Sequence, residues 1–140
     1  MKRQQELISL SQEHHQSLRL AKNCLDTAAT GDTEKCAALC AHIVDIFDAE
    51  WDRHFRNEEA SIFAITATMS GKIHDLGVQL VAEHDQMRAM ATEMQPGDCN
   101  KLAAFGKLLK DHTRLEEREL FPLLEAQFNK EQMQRILDNT

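Results

Sequence analysis

Residues that break helices gather in only three places in this 140-residue chain: Thr30-Gly31-Asp32-Thr33, Ser70-Gly71 and Pro96-Gly97-Asp98. With five Gly and two Pro, it is too poor in turn formers for a sandwich or barrel of many short strands. The stretches between the breakers carry the three-to-four-residue apolar spacing of helices. The first runs from about Arg3 to Ala29, with a stripe of Leu7, Leu10, Leu18, Ala21 and Leu25. The second runs from about Glu34 to Thr68 (Cys36, Cys40, Ile43, Phe47, Trp51, Ile62), and the third from about Lys72 to Met94 (Ile73, Leu76, Leu80, Met87, Ala91). The fourth runs from about Cys99 to Phe128, with Leu102, Phe105, Leu108, Leu109 and Leu115. Asp32 or Thr33, and Asp98, suit the N-caps of the second and fourth. Pro122 should kink the fourth. Asn129, with Gln132 three residues on, suits the start of a short final helix that turns Met133, Ile136 and Leu137 inward. Long helices with short connections favour antiparallel neighbours. The expected fold is all-α: an up-down-up-down four-helix bundle with a short C-terminal helix, one domain over residues 1–140.

Lys plus Arg number 16 against 23 Asp plus Glu, a net charge of −7, so no basic face is expected for nucleic acid or an anionic membrane. No apolar run approaches the roughly eighteen residues of a membrane span. Met1-Lys2-Arg3 is followed by Gln4, Gln5 and Glu6, where a signal peptide needs an apolar stretch. A cytoplasmic location is the default expectation, with Cys24, Cys36, Cys40 and Cys99 as thiols. Cys36 and Cys40 are spaced for a soft metal or a redox pair, yet two sulfurs without neighbouring partners read better as small buried hydrophobes. Tyr is absent and Trp51 stands alone, which argues against an aromatic binding face. Seven histidines in an acidic chain are the anomaly.

Two pairs of segments repeat. Leu10-Ser11-Gln12-Glu13-His14-His15-Gln16 aligns with Leu80-Val81-Ala82-Glu83-His84-Asp85-Gln86. The stretch from His54 to Phe63 aligns with that from His112 to Phe121, both reading H-x-x-x-E-E-x-x-[IL]-F. On a helix a residue four along returns to within about 40° of the same face. His54 with Glu58, and His112 with Glu116, can therefore each reach one ion. His14, His54, His84 and His112 all lie on apolar stripes, where titratable side chains seldom sit without partners. His54 and His84 lie 15 residues either side of Met69, and His84 and His112 lie 13 and 15 residues from Gly97, which puts these three at one level. His14 and His54 lie 17 and 23 residues from Gly31, a looser match that needs an asymmetric first turn. His42 and His74 fall at other levels and read as surface or packing residues.

Four imidazoles and two carboxylates exceed a tetrahedral zinc site and suit a pair of ions, with iron the natural candidate for oxygen chemistry. Ferritin-like proteins use Glu-x-x-His pairs. No histidine here has Glu three residues before it.

Over nearly its whole length the chain resembles the hemerythrin-like (HHE cation-binding) family, in particular its bacterial branch with the ordered pattern H…HxxxE…H…HxxxE. The matching residues are His14, His54 with Glu58, His84, and His112 with Glu116. The resemblance implies a non-haem centre of two iron ions bridged by both carboxylates and a solvent-derived oxygen. It also implies binding of dioxygen or nitric oxide, in oxygen storage or sensing or in an iron or nitrosative stress role. Oxygen-carrying hemerythrins place two histidines four apart on the third helix, whereas here Leu80 and Arg88 flank His84 at that spacing. Their fourth helix uses an aspartate five residues after its histidine, where this chain has Glu117. Glu116 is preferred because the second helix repeats its spacing. His15 is the alternative to His14, and Glu50, one turn before His54, is either a hydrogen-bond partner, an alternative ligand or a solvated charge. A ligand-binding metalloprotein is the favoured reading. The alternative is a di-iron enzyme with oxidase, peroxidase or iron-centre repair activity, although repair members usually carry an additional N-terminal module.

Overall fold

The computed structural model describes residues 3–140; Met1 and Lys2, part of the signal-like start considered above, lie outside the described residues. Described residues form helices and no strand. Helix α1 is Gln5–Ala29. Rod α2 spans residues 33–66 and alternates α-helical Thr33–Ile46, Arg53–Glu58 and Ala64–Thr66 with π-helical Phe47–Asp52 and Glu59–Phe63. Helix α3 is Lys72–Thr92. Rod α4 spans residues 99–127 as α-helical Cys99–Leu115, π-helical Glu116–Leu120 and α-helical Phe121–Gln127, and α5 is Lys130–Asp138. None of these helices is long and apolar enough to cross a membrane.

The caps explain where the rods begin. The Asp32 carboxylate accepts from the Glu34 and Lys35 N–H groups, so Asp32 rather than Thr33 caps α2, and Asp98 accepts from the Lys101 N–H at 2.7 Å. Asn129 and Gln132 close the expected capping box, each side chain bonding the other's backbone at 2.9 Å. Within α5, Met133 and Ile136 are buried, but Leu137 is 39 % exposed and does not face inward. Pro122 lies in the first turn of Phe121–Gln127, directly after the π-helical stretch. That wider turn lies where Pro122 has no N–H to offer, and helical geometry carries on past the proline to Gln127.

Two apolar clusters fill the interior, separated along the rods by a layer of buried His and Glu. One gathers Leu7, Leu10, Ile62, Phe63, Leu76, Leu80, Phe121 and Leu124 and is closed by Met133 and Ile136 of α5. The other gathers Ala21, Ile43, Phe47, Trp51, Phe55, Met87, Leu102 and Phe105. In α1 the buried face runs Leu7, Leu10, His14, Ser17, Ala21 and Cys24; Leu18 and Leu25, assigned to the stripe from sequence, sit at its margin.

The cysteines differ from expectation. Cys36 and Cys99, expected as thiols, form a disulfide with Cα atoms 5.1 Å apart. The first turns of α2 and α4 start side by side, a proximity that spacing within one helix could not reveal. Cys24 and Cys40 are buried thiols, and burial pushes Cys24 up to about 12, so neither the soft-metal nor the Cys36–Cys40 redox pairing applies.

Helix α1 packs closely along α4, and Gly106 makes the approach possible. A Cβ there would stand 2.7 Å from the Cys24 Cβ and 3.1 Å from the Ala21 carbonyl oxygen, neither of which can rotate away. Gly106→Ala is therefore expected to lower stability by about 1–3 kcal/mol despite alanine's better helix propensity. Urea unfolding followed by circular dichroism checks this as a lower midpoint with an unchanged slope.

Candidate metal centre

Helical spacing turns His54 and Glu58 to one face of Arg53–Glu58, between two π-helical stretches, while Glu116 opens the π-helical stretch that follows His112. Such stretches rotate the faces on either side relative to each other, and they recur at functional sites. With His14 from α1 and His84 from α3, these six side chains converge between the apolar clusters, none more than 3 % exposed. His15, Glu50 and His42 are exposed, and His74 is half-buried against Asp75 on its own helix. The alternatives His15 and Glu50 thus point away from the cluster.

The six form two groups that share their carboxylates: His14, His54, Glu58 and Glu116, and then Glu58, His84, His112 and Glu116. The potential donor atoms of each lie within 4.8 Å of one another. Glu58 turns Oε2 toward His14 and His54, whose Nε2 atoms stand 3.4 and 3.3 Å away, and Oε1 toward His84 Nε2 at 3.2 Å. Glu116 turns Oε2 toward His14 Nε2 at 3.2 Å and Oε1 toward His112 Nε2 at 2.5 Å. Each carboxylate therefore offers one oxygen to each group.

These atoms lack the partners that buried polar groups require. Nε2 of His14, His84 and His112 and all four oxygens of Glu58 and Glu116 have no properly oriented hydrogen-bond partner. Leaving such a group unsatisfied costs about 1–3 kcal/mol, and seven converging ones fit a site built for cations.

The opposite ring nitrogens are fully engaged. His14 Nδ1 bonds Glu117 at 2.5 Å, His54 Nδ1 bonds Glu13 at 3.2 Å, and His84 and His112 bond Glu59 and Glu83 at 2.8 Å each. An ionised carboxylate only accepts, so Nδ1 carries a proton, and Nε2 is the nitrogen that offers a lone pair to the cluster once its own proton is lost. This arrangement orients metal-binding histidines and makes them better donors. Helix α1 supplies the acceptor for α2, α2 for α3, α3 for α4, and α4 for α1, closing a ring. Sequence patterns alone assigned no role to Glu13, Glu59 and Glu83, while Glu117, weighed there as the alternative to Glu116, instead bonds His14 Nδ1 and stands outside both groups. The signal of all four was present in both repeats, as the Glu before His14 and His84 and the second Glu of each H-x-x-x-E-E.

The hemerythrin HHE cation-binding domain profile matches residues 7–124. The chain belongs to that family. No curated protein and no solved structure matched it. The HHE match contains all six converging side chains and all four outer carboxylates, while α5 lies beyond it.

Metal-free, the HHE cluster is a proton store. Burial disfavours charge on His54, but the carboxylates of Glu58 and Glu13 outweigh it and raise His54 to about 9. His112 reaches about 9 in the same way, through Glu116 and Glu83. His14 is raised well above its usual range by Glu116, Glu117 and Glu58 against the burial penalty. Glu58 is held well below the usual carboxylate range, with His54 opposing its desolvation.

Two outcomes follow from these shifts. Stability from the charged imidazoles is fully present below the unfolded value of 6.5 and is lost as pH rises through about 9, so the metal-free protein should melt at a lower temperature at pH 9.5 than at pH 6. Metal binding at pH 7 must also expel the protons of His54 and His112, measurable by calorimetry in buffers of different ionisation enthalpy. A second test separates inner from outer carboxylates. Glu58→Ala removes a donor from both groups and should abolish metal retention, whereas Glu59→Ala should weaken metal binding about 10–100-fold. Equilibrium dialysis against divalent metal distinguishes the two.

Proposed function

We propose that this protein holds two iron ions in a non-haem centre and reversibly binds dioxygen or nitric oxide there, for oxygen storage or sensing or in an iron or nitrosative stress response. His14 and His54 would hold one ion, His84 and His112 the other, and Glu58 and Glu116 would bridge them. The observation that carries this reading is the division of each buried carboxylate, one oxygen toward each pair of histidines. A mononuclear site would leave half of these oxygens unmatched.

The donor set argues for iron. Imidazole and carboxylate together suit ions of intermediate softness, and thiolate is absent from both groups. Iron would supply coordination positions at which a diatomic ligand can bind. The protein supplies four oriented imidazoles, two shared carboxylates and an apolar surround. Leu80, fully buried one turn before His84, occupies the place where oxygen-carrying relatives have a further histidine, so this centre would be more open to small ligands. The level arrangement of His54, His84 and His112 about their turns also supports reading α1 to α4 as an up-down-up-down four-helix bundle, with α5 closing one end.

Elemental analysis of protein loaded with ferrous iron under anaerobic conditions is expected to give about two irons per chain. A visible absorption spectrum should change on exposure to oxygen or nitric oxide. Because the metal would satisfy the orphaned atoms, loaded protein should melt at a higher temperature than metal-free protein at pH 7. One zinc per chain with no iron uptake would overturn the di-iron reading.

A further inference from the structure

The four outer carboxylates are not held alike. Glu117 takes Ser11 Oγ, with Arg3 Nε 3.6 Å away, and Glu13 takes one arm of the half-exposed Arg53 at 2.8 Å. Glu83 is held by the neutral amide of Gln79 at 3.0 Å. Glu59 alone is gripped by both arms of a guanidinium: Arg88 Nη1 meets Oε2 at 2.9 Å and Nη2 meets Oε1 at 3.0 Å. The same Arg88 donates through Nε to Asp52 at 2.5 Å, tying α3 to two acids on α2.

Arg88 lies one turn after His84, and its guanidinium carbon sits 5.8 Å over the Phe55 ring. Phe55 in turn stacks on the His84 ring, with centroids 4.1 Å apart, while Phe63 meets that ring edge-on at 5.6 Å. Phe55 therefore covers one face of His84, and the 2.8 Å contact from Nδ1 to Glu59 sets how the ring is turned in that plane. Glu59 is about a quarter exposed and could swing to water without a clamp. Planar two-armed pairing of guanidinium with carboxylate removes that freedom in a way that a lysine cannot reproduce.

We propose that Arg88 is a positioning residue for the metal centre. Acting through Glu59, it fixes the His84 imidazole and so sets how tightly the His84–His112 half holds its ion, leaving the His14–His54 half unaffected. The proposal rests on the six inner side chains being metal ligands.

Cobalt(II) titration of the full chain, followed by absorption and by proton NMR, provides the test. Each imidazole bound to the paramagnetic ion gives a strongly shifted line from its Nδ1 proton. The unmodified protein should take up two ions and show four such lines. Arg88→Gln should bind the first ion as before and the second about 10–100-fold more weakly, with one line broadened by exchange with water. Arg88→Lys should fall between the two, and Arg53→Gln should alter a different line. Arg88→Lys and Glu59→Gln probe the same contact should Arg88→Gln fold poorly. Equal weakening of both ions, or four unchanged lines with unchanged affinities in these variants, overturns the role of Arg88. Absence of shifted imidazole lines in the unmodified protein overturns the ligand assignment itself.

Discussion

Everything in this fold is arranged around two carboxylates with no access to water. Glu58 and Glu116 lie in the middle of the bundle, where an isolated charge is heavily penalised. Four imidazoles surround them, and four further carboxylates stand behind the imidazoles. The apolar core consequently cannot be continuous. It divides into a cluster that reaches α5 and another that reaches the Cys36–Cys99 disulfide, each packing one end of the rods. Without cations, the layer relies on proton sharing between imidazoles and carboxylates, which explains the raised histidines. With cations, the same atoms become donors.

The ring of Nδ1 contacts also constrains how the rods assemble. Each contact joins a Glu on one rod to a His on the next, so every rod has a fixed neighbour and a fixed rotation about its own axis. A rotation of one residue, about 100°, would turn a histidine out of the cluster and its partner carboxylate out of reach. Apolar packing tolerates small shifts because Leu and Met side chains can repack. Hydrogen bonds of 2.5–3.2 Å tolerate them poorly. The polar layer thus supplies register to rods whose apolar faces alone would specify it loosely.

The helical rods were legible in the sequence because they follow from spacing within one helix, and the six converging side chains because that spacing combines with counting from the turns, with His14 the loosest match. His54 with Glu58 needs only the four-residue return, and a common level for His54, His84 and His112 needs only counting from the turns. Glu13, Glu59, Glu83 and Glu117 were visible as repeated letters, but their roles depend on contacts between rods, which one-helix geometry does not contain. The π-helical stretches were illegible for a related reason: they answer to packing and to Pro122, and apolar periodicity averages over a single extra residue. Cys36–Cys99 lay beyond reach because it depends on two rods beginning side by side. In α1, Ser17 takes a buried position because its hydroxyl bonds the Glu13 carbonyl at 3.3 Å, a local solution that an apolar stripe search passes over.

The repeat also shows where the two halves part company. Glu13 on His54 corresponds to Glu83 on His112, each a contact within one helical pair, while Glu59 on His84 corresponds to Glu117 on His14, each a contact between pairs. Each half brings two histidines to one of the two donor groups and one carboxylate to both groups, so the inner layer is close to two-fold symmetric. Behind it the symmetry fails. Four residues after His84 stands Arg88, and four residues after His14 stands Leu18. A guanidinium that grips Glu59 with two arms therefore has no counterpart at that position in the first pair. The inner donors fall into two groups, whereas the outer cations make those two groups different. That difference is written at positions outside the inner donor groups.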